Sequence, residues 1–386
     1  MALSLYIHIP WCVKKCYYCD FNSHQASRDQ VLRHEQNYIQ ALQQDWRQEL
    51  NRFPHGPPQI TSIFIGGGTP SLFSASAIDQ LMRSLLDEWG VKKDSIEITI
   101  EANPATTDNE KLIGFRESGI NRISFGAQSF EPLQLQQLGR IHSVEEIYTA
   151  MTQARQAGFT RINIDLMYGL INQTPWQCLN DLQKATELEP DHISWYQLTI
   201  EPLTAFGKRP PPLPEDEALW AMTCDGLDFL GQHGFERYEI SAWSKVQDTI
   251  DQRCVHNINY WEYGDFVGIG AGAHSKITQD ENIIRYAKIA SPSQYIQHAG
   301  NQSRVASCET VQASSLPLDA LMNFMRLCEG FAIEKFKART NIPDPTVDEI
   351  LQHLLSNHWI EIHGNNIIPS QKALRFQTTM LLEICA

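Results

Sequence analysis

The sequence predicts an α/β fold built on a parallel sheet. Between the amino terminus and residue 200, short runs rich in β-branched residues alternate with segments of helical period. Six such units in tandem imply parallel strands joined by right-handed crossovers. Residues that look functional come directly after the strands, as expected where ligands bind at the carboxyl ends of parallel strands. A doubly wound sheet and a barrel both fit this pattern.

The predicted elements follow one another in regular order. An apolar strand ends at Pro10, and apolar residues at helical spacing predict the first helix over 28–52. Further strands are predicted at 60–65, 96–100, 122–125, 161–167 and 192–200. The helices between them are predicted at 74–89, 107–118, 131–157, where the pattern is broken, and 174–188.

A proline-rich segment, KRPPPLP, divides the chain after residue 207. Polyproline cannot continue a helix or a central strand, so we expect the barrel or sheet core to cover residues 1–207. An α+β extension at 208–300 is expected to pack on this core. It contains an amphipathic helix predicted over 215–233 and a strand predicted over 238–243.

The C-terminal module is predicted at 301–386. Its last part reads as a helix, a hairpin around Gly364 and Asn365, and a second helix, an order that resembles a winged helix. Carboxylates outnumber basic residues in this part, which has only Lys372 and Arg375 as basic residues. We therefore expect a packing or partner-binding module rather than a DNA-binding one.

Composition restricts the class of protein. The chain has 386 residues and a formal net charge of −14, which argues against nonspecific nucleic-acid binding because such binding depends on Lys and Arg. Its nine cysteines are an odd number without a framework spacing, which favours a reducing compartment. The amino terminus lacks the pattern of an export signal, and no segment approaches about 18 uninterrupted apolar residues. A cytoplasmic location is the expectation.

Three cysteines follow the first strand, in YIHIPWCVKKCYYCDF. Cys12, Cys16 and Cys19 have CxxxCxxC spacing and can occupy three corners of one cubane iron–sulfur cluster. Phe21 stands where a CxC sequence would supply the fourth thiol. One iron would then lack a protein ligand, and such open coordination sites are where metals do chemistry.

Two simpler interpretations of this loop are a zinc site and three unrelated thiols. A zinc site needs a fourth Cys or His at a spacing of about two to four residues. His8 and His24 are the histidines near the loop, so a zinc site stays open as the less favoured interpretation.

Polar motifs follow the later strands as well. They are GGGTPS at 66–71, EANP at 101–104, GAQS at 126–129, GRIHS at 139–143 and RINIDLMYG at 161–169. Each has an ordinary structural interpretation by itself, such as a tight turn, a helix cap or an ion pair. Their joint occurrence behind a CxxxCxxC strand favours a ligand site.

Two motifs lie in the extension. In HNINYW, His256 stands beside Tyr260 and Trp261, and an imidazole with flat aromatic surface suits a planar metal-bearing ligand such as heme. A lone histidine is more often a hydrogen-bonded structural residue. The glycine-rich stretch 264–275 resembles a phosphate-binding loop, but no helix pattern follows, so we expect a loop that runs close to other backbone.

Six segments together resemble the oxygen-independent coproporphyrinogen III oxidase family of radical S-adenosylmethionine (SAM) proteins, and the resemblance runs from end to end. They are YIHIPWCVKKCYYCDF, FIGGGTPS, EANP, RISFGAQSF, LGRIHS and NIDLMYGL. The resemblance implies an open six-unit partial (β/α) barrel of radical SAM type. It also implies a [4Fe-4S] cluster on the three cysteines, with SAM on the fourth iron. In such proteins the reduced cluster can cleave SAM to a 5′-deoxyadenosyl radical.

The same resemblance implies a set of SAM-binding residues. They are Tyr6, Tyr18, Gly67, Gly68, Thr69, Glu101, Gln128, Arg140 and Asp165. Arg140 and Asp165 would meet SAM groups of opposite charge. One departure bears on Asp165: Ile171-Asn172 stands where relatives usually have Pro-Gly, which predicts a turn of different shape after the fifth strand.

Phe21 and the HNxxYW motif resemble the HemW branch of this family, whose members are proposed to bind heme and pass it to acceptor proteins. By that resemblance His256 is the candidate heme ligand, and the partners are heme and heme-acceptor proteins such as respiratory-chain or other membrane-associated hemoproteins. One alternative is an oxygen-independent coproporphyrinogen III dehydrogenase that converts propionates to vinyl groups. Another is a DNA-binding iron–sulfur regulator that uses the acidic tail.

Overall fold

The computed structural model of this protein describes residues 3–53, 56, 59–246, 251–279 and 281–384. Within them, six parallel strands in chain order form the centre of one large sheet. They are β1 (Leu3–Ile9), β2 (Ile60–Gly67), β3 (Glu97–Ala102), β4 (Arg122–Gln128), β5 (Ile162–Tyr168) and β6 (His192–Gln197). This order confirms the predicted partial (β/α) barrel.

Helices connect these strands as the sequence predicts. They are α1 (Arg28–Leu50), α2 (Ala75–Trp89), α3 (Asn109–Glu117), α4 (Pro132–Leu138), α5 (Val144–Gln156) and α6 (Pro175–Glu187). Capping boxes at Ser27, Ser143 and Thr174 begin three of them. The predicted break in the 131–157 segment lies at Gly139, whose φ of 77° ends α4.

After β6, the chain adds α7 (Ala205–Lys208), α8 (Asp216–Gln232), β7 (Phe235–Glu239) and β8 (Ala242–Lys245). The last two form an antiparallel hairpin beside β6. The prediction of a single strand over 238–243 is therefore wrong. The run is β-rich throughout, but Arg237 donates two bonds to the Ile240 carbonyl and stabilises a turn in its middle.

The opposite edge of the sheet is built by the following segment. Its elements are α9 (Val255–Trp261), β9 (Asp265–Ile269), β10 (His274–Gln279), β11 (Asn282–Lys288), α10 (Pro292–His298) and β12 (Val305–Thr310). β9 pairs in parallel with β1, and the other strands extend the sheet outward in sequence. The two edge strands of the sheet, β7 and β12, are not paired with each other, so the barrel is open.

A second prediction, that the glycine-rich stretch 264–275 is a loop, is wrong. The stretch forms β9, a tight turn and the start of β10 rather than a loop, because Val267 and Ile269 are fully buried in the sheet. The expected close approach to other backbone is present. A Cβ on Gly268 would lie 2.1 Å from the His274 carbonyl oxygen, and one on Gly270 would lie 2.4 Å from that of His8.

The C-terminal part has its own apolar core, which includes Trp359 and Phe324. Its elements are α11 (Leu316–Phe324), α12 (Ile333–Thr340), α13 (Asp344–Ser356), β13 (Ile360–His363), β14 (Asn366–Pro369), α14 (Gln371–Arg375) and α15 (Gln377–Ile384). The helix and hairpin occur as expected, and the final helix is divided at Phe376. The winged-helix resemblance and the domain limits stay predictions. None of the described helices is long and apolar enough to cross a membrane.

Candidate functional site

Two adjoining cavities lie inside the barrel. The smaller, of about 560 Å³, opens at the carboxyl ends of the strands. Its lining includes all but two of the predicted site residues, namely Cys12, Cys16, Tyr18, Cys19, Gly67, Gly68, Thr69, Glu101, Gln128, Arg140 and Asp165. The larger cavity, of about 950 Å³, includes the remaining two, Tyr6 and His256. The sequence reasoning therefore selects residues that the fold brings together.

Backbone hydrogen bonds hold the cysteine loop over the smaller cavity. Thr69 donates its N–H to the Trp11 carbonyl at 2.8 Å, and Tyr17 donates to the Leu138 carbonyl at 3.1 Å. The loop is thus fixed between the GGGT turn after β2 and the end of α4. Gly68 permits this approach because a Cβ there would lie 2.6 Å from the Trp11 carbonyl oxygen.

Each cysteine sulfur has a polar neighbour. The Thr69 hydroxyl donates to Cys12 Sγ at 3.3 Å, the Arg140 guanidinium donates to Cys16 Sγ at 3.5 Å, and Cys19 Sγ lies 3.9 Å from Ser23 Oγ. Burial raises the pKa of the Cys12 thiol to about 11 and also raises that of Cys19. Donors of this kind stabilise thiolates that bind iron, so the residues fit a cluster.

The three thiols suit a cluster better than a single metal ion. Among the described residues, no three His, Cys, Asp or Glu side chains converge closely enough to hold one ion. A zinc site needs that convergence, whereas each cysteine of a cubane cluster binds a different iron. The donor set therefore matches the three-cysteine cluster that the sequence predicts.

Arg140 and Gln128 form one wall of the smaller cavity. Arg140 Nη2 donates to the Gly126 carbonyl at 2.5 Å, so its guanidinium links β4 to Cys16. Gln128 has a φ of 71° and follows a bulge in the β4–β5 pairing, and its Oε1 accepts a bond from Tyr196 at 2.9 Å. The bulge turns the end of β4 toward the cavity, as β-bulges near active sites commonly do.

Glu101 and Asp165 form the wall that the two cavities share. Glu101 Oε2 accepts the Gly67 N–H at 3.1 Å, and burial and the Asp165 charge raise the pKa of Glu101 to about 7. Asp165 accepts bonds from Asn163 at 2.7 Å and Ser124 at 3.1 Å, while burial raises its pKa. This wall can change its charge near neutral pH.

The unusual turn after β5 leaves Asp165 in the site. Asn172 adopts a φ of 52°, in the left-handed region that asparagine tolerates better than other non-glycine residues. Gln173 closes the turn by accepting the Leu170 N–H on its side-chain oxygen at 3.1 Å. The residues Ile171-Asn172 therefore still make a compact turn, and Asp165 lines both cavities.

The larger cavity has a mixed lining, in which five aromatic rings and four imidazoles lie among polar and charged side chains. His256 contacts the rings of Phe64 and Tyr260, with centroid distances of 5.1 and 4.7 Å, and Tyr6 lies 6.3 Å away. Tyr6 lines this cavity and donates to or accepts from His8 Nδ1 at 3.0 Å. Tyr6 therefore lies beside the candidate heme ligand and does not line the smaller cavity.

His256 lines this cavity and has one ring nitrogen without a hydrogen-bond partner among the described residues. Its Nδ1 lies 3.0 Å from Ser62 Oγ, whereas its Nε2 has no hydrogen-bond partner among the described residues. Burial, and then the positive charge of Arg122, lower the pKa of His256 to about 3. The imidazole is therefore neutral at physiological pH, which is the form that binds a metal.

Glu97 fixes the position of α9 and hence of His256. Its carboxylate accepts the N–H groups of Val255 at 3.1 Å and His256 at 3.2 Å, and it pairs with Arg161 at 2.8 Å. The HNxxYW motif then serves both cavities: Tyr260 lines the larger one, and Asn257 lines both. This is why the motif lies near the cysteine loop despite its distance in sequence.

Several lining residues were not identified from the sequence. They are Asn103, Arg122, Ser124, Asn163, Ser194 and Tyr196. Most are polar residues at alternate positions of otherwise apolar strands, which is a signal for side chains that point into a polar barrel interior. Arg122 gave no such signal because it stands at the first position of β4.

Comparisons with known proteins identify the family of the chain. Residues 6–185 match the Radical SAM superfamily. The chain is 44% identical to the heme chaperone HemW of Haemophilus influenzae over 93% of this chain and 91% of that protein, and 42% identical to HemW of Escherichia coli over 95% and 96%. The structure of coproporphyrinogen III oxidase (HemN) from Escherichia coli is similar in fold, with a TM-score of 0.80 at 23% identity over 98% of this chain and 89% of that one.

Proposed function

We propose a function on one premise: this chain belongs to the radical SAM superfamily and, within it, to the HemW family of heme chaperones. It binds heme in the larger cavity through His256 and transfers the heme to acceptor proteins. The unpaired Nε2 of His256 carries this proposal, because a buried polar atom without a partner is costly unless a ligand satisfies it.

The shape and lining of the larger cavity support heme as the cargo. Heme is a flat, largely apolar macrocycle around an iron ion, and Phe64, Tyr260 and Phe266 supply aromatic surface beside the His256 imidazole. A volume of about 950 Å³ lies at the upper end of the usual range for ligand pockets. A neutral imidazole is a usual axial ligand of heme iron.

The smaller cavity would hold the resident cofactors that the superfamily implies. Cys12, Cys16 and Cys19 would each bind one iron of a [4Fe-4S] cluster. SAM would bind the fourth iron, which has no protein ligand. When bound and reduced, the cluster supplies an electron to SAM. Arg140 would pair with a carboxylate and Asp165 with an ammonium group, while Glu101 and the Gly67 N–H offer further polar contacts.

Titration of the purified protein with heme tests the role of His256. We expect His256→Ala to lose the Soret band of the ligated heme and to bind heme more weakly than the wild type. His274→Ala is the matched control, because His274 lines the same cavity but is exposed. Unchanged spectrum and affinity in His256→Ala, or equal effects of the two substitutions, would show that His256 is not the ligand.

The alternative, a coproporphyrinogen III dehydrogenase, is tested separately. Protein with a reconstituted cluster is incubated anaerobically with coproporphyrinogen III, SAM and a strong reductant, and both vinyl product and 5′-deoxyadenosine are quantified. We expect no vinyl product from protein that still binds heme. Vinyl product in proportion to 5′-deoxyadenosine would identify an enzyme and overturn the proposal of heme transfer as the main function.

A further inference from the structure

Building on the proposed function, we propose that Arg122 binds a carboxylate of the porphyrin ligand at the inner end of the larger cavity. Heme would then be held at two points, its iron at His256 and one propionate at Arg122. This assignment gives the cavity an orientation that an axial ligand alone does not provide.

Arg122 is a buried cation without a hydrogen-bond or ion-pair partner among the residues that the structure describes. It is 3% exposed and lines the larger cavity, but it does not line the smaller one. Its side chain has no ion pair within 4.0 Å and no hydrogen bond or ring contact with any described residue. Burying an ion in this way is costly, so its retention points to a ligand that supplies the missing charge.

The nearby acidic residues are already engaged. Glu97 pairs with Arg161 and accepts two N–H groups of α9, and Asp165 accepts bonds from Asn163 and Ser124. Neither carboxylate reaches Arg122 within ion-pair distance. Both lie close enough to influence its charge, which lowers the cost of the buried cation without saturating its five donors.

Two other arginines of this protein show the contrast. Arg140 donates to Gly126 and Cys16, and Arg304, which is fully buried, pairs with Asp45 and Glu49. A guanidinium fork matches a carboxylate with two parallel bonds. The larger cavity has this fork free, together with the imidazole and aromatic surface that suit a porphyrin.

A carboxylate of the cargo is a better candidate than that of SAM. The proposed SAM residues, apart from Tyr6, line the smaller cavity, where Arg140 is the nearest guanidinium to the cysteines. Arg122 instead shares the larger cavity with His256, and its charge is close enough to affect that imidazole. Arg122→Met is therefore expected to leave the affinity for SAM unchanged.

The test compares heme with heme dimethyl ester, whose propionates carry no charge. For wild-type protein and Arg122→Met, the dissociation constants of both ligands are measured from the Soret band. The preference for heme is the dissociation constant of the ester divided by that of heme. We expect this ratio to be about 10- to 100-fold larger for the wild type than for Arg122→Met, which is the range for a charge-assisted hydrogen bond. Arg122→Lys should keep part of the preference, and Arg83→Met, on an exposed residue, should keep all of it.

A second measurement does not depend on the ligand. If Arg122 is an uncompensated buried charge, ligand-free Arg122→Met should unfold at the same or a higher temperature than the wild type. A lower unfolding temperature, or equal preference for heme in wild type and variant, would overturn this inference. Either result leaves the proposed function intact if His256→Ala still weakens heme binding. If His256→Ala does not weaken heme binding, the proposed function itself is refuted.

Discussion

Lys288→Met tests how strongly a buried ion network holds the barrel to the outer strands. Lys288 in β11 and Arg304 before β12 pair with Asp45 and Glu49 of α1, and all four side chains are fully buried. Lys288 Nζ lies 2.8 Å from Asp45. After the substitution, Arg304 still pairs with both buried carboxylates, but these have lost one of their two fully buried cations. We therefore expect the free energy of unfolding to fall by about 3–5 kcal/mol.

The lower end of that range is favoured by the remaining donors. Tyr295 and the Gly270 N–H still bond to Asp45, while Tyr286 and Arg52 still contact Glu49. These contacts stabilise the carboxylates, and the partly exposed Arg52 leaves Glu49 with a second ion pair. A loss of about 3 kcal/mol is therefore the working value, against at most about 1 kcal/mol for an exposed pair.

Urea unfolding monitored by tryptophan fluorescence measures this loss. Arg47→Met is the control, because the Arg47–Glu88 pair is exposed on the same helix. The double variant Lys288→Met/Glu49→Gln removes one charge of each sign and should be more stable than the sum of the single effects predicts. A loss under 1 kcal/mol in Lys288→Met, or strict additivity in the double variant, would refute the reasoning.

The pH dependence supplies an independent check on the same network. Burial opposes ionisation of Glu49, but the charge and hydrogen bond of Lys288, together with the Tyr286 hydrogen bond and the Arg52 charge, lower the pKa of Glu49 below its usual 4.5. A depressed carboxyl pKa contributes stability above the unfolded value, and that stability is lost as the pH falls through the folded value. The stability of Lys288→Met should therefore depend less steeply on pH below 4.5 than that of the wild type.

Three further substitutions address the site. Cys19→Ser should lower iron content and visible cluster absorption after reconstitution while heme binding through His256 persists; loss of both would mean that the cavities are not separable. Gly68→Ala should weaken the retention of cluster and SAM because its Cβ would meet the Trp11 carbonyl. The control is Gly231→Ala, which lies in open space within α8 and should add about 0.5–1 kcal/mol of stability. Glu101 is neutral below its raised pKa of about 7, so the wild type loses stability as the pH rises from 4.5 to 7. In urea unfolding, the stability of Glu101→Gln relative to the wild type should therefore rise by about 3 kcal/mol over that range. A stability difference between the two proteins that does not change with pH would contradict the assignment.

Local periodicity was sufficient to locate the β/α units, whereas the family resemblance selected the partial barrel over a doubly wound sheet. The β/α units of the first 200 residues have short connections and strong apolar patterns, so each strand and helix could be located from its own sequence. The cysteine loop was equally accessible because its three cysteines lie within eight residues. Elements whose position depends on local sequence alone are the ones that the sequence analysis predicts correctly.

Long-range pairing was not accessible in the same way. β9 reads as a glycine-rich loop, and it becomes a strand because β1 offers a parallel edge to which Val267 and Ile269 can bury. The 238–243 run reads as one strand because nothing within it reveals the turn that Arg237 stabilises. Arg122 reads as an ordinary first residue of a strand, and closure of the barrel around it is what makes it a buried cation.

The shared wall of the two cavities connects the proposed heme function with the radical SAM scaffold. Gly67, Glu101 and Asp165 line both cavities, and Cys19 belongs to both as well. A heme in the larger cavity and SAM in the smaller one would therefore contact opposite sides of the same residues. Since Glu101 can gain or lose a proton near neutral pH, the charge on a bound SAM would change its ionisation and with it the surface that heme would meet. Any such coupling is reciprocal, so if SAM weakens heme binding then heme must weaken SAM binding by the same factor. A chaperone that must release its cargo could use this linkage without any chemical change to the heme.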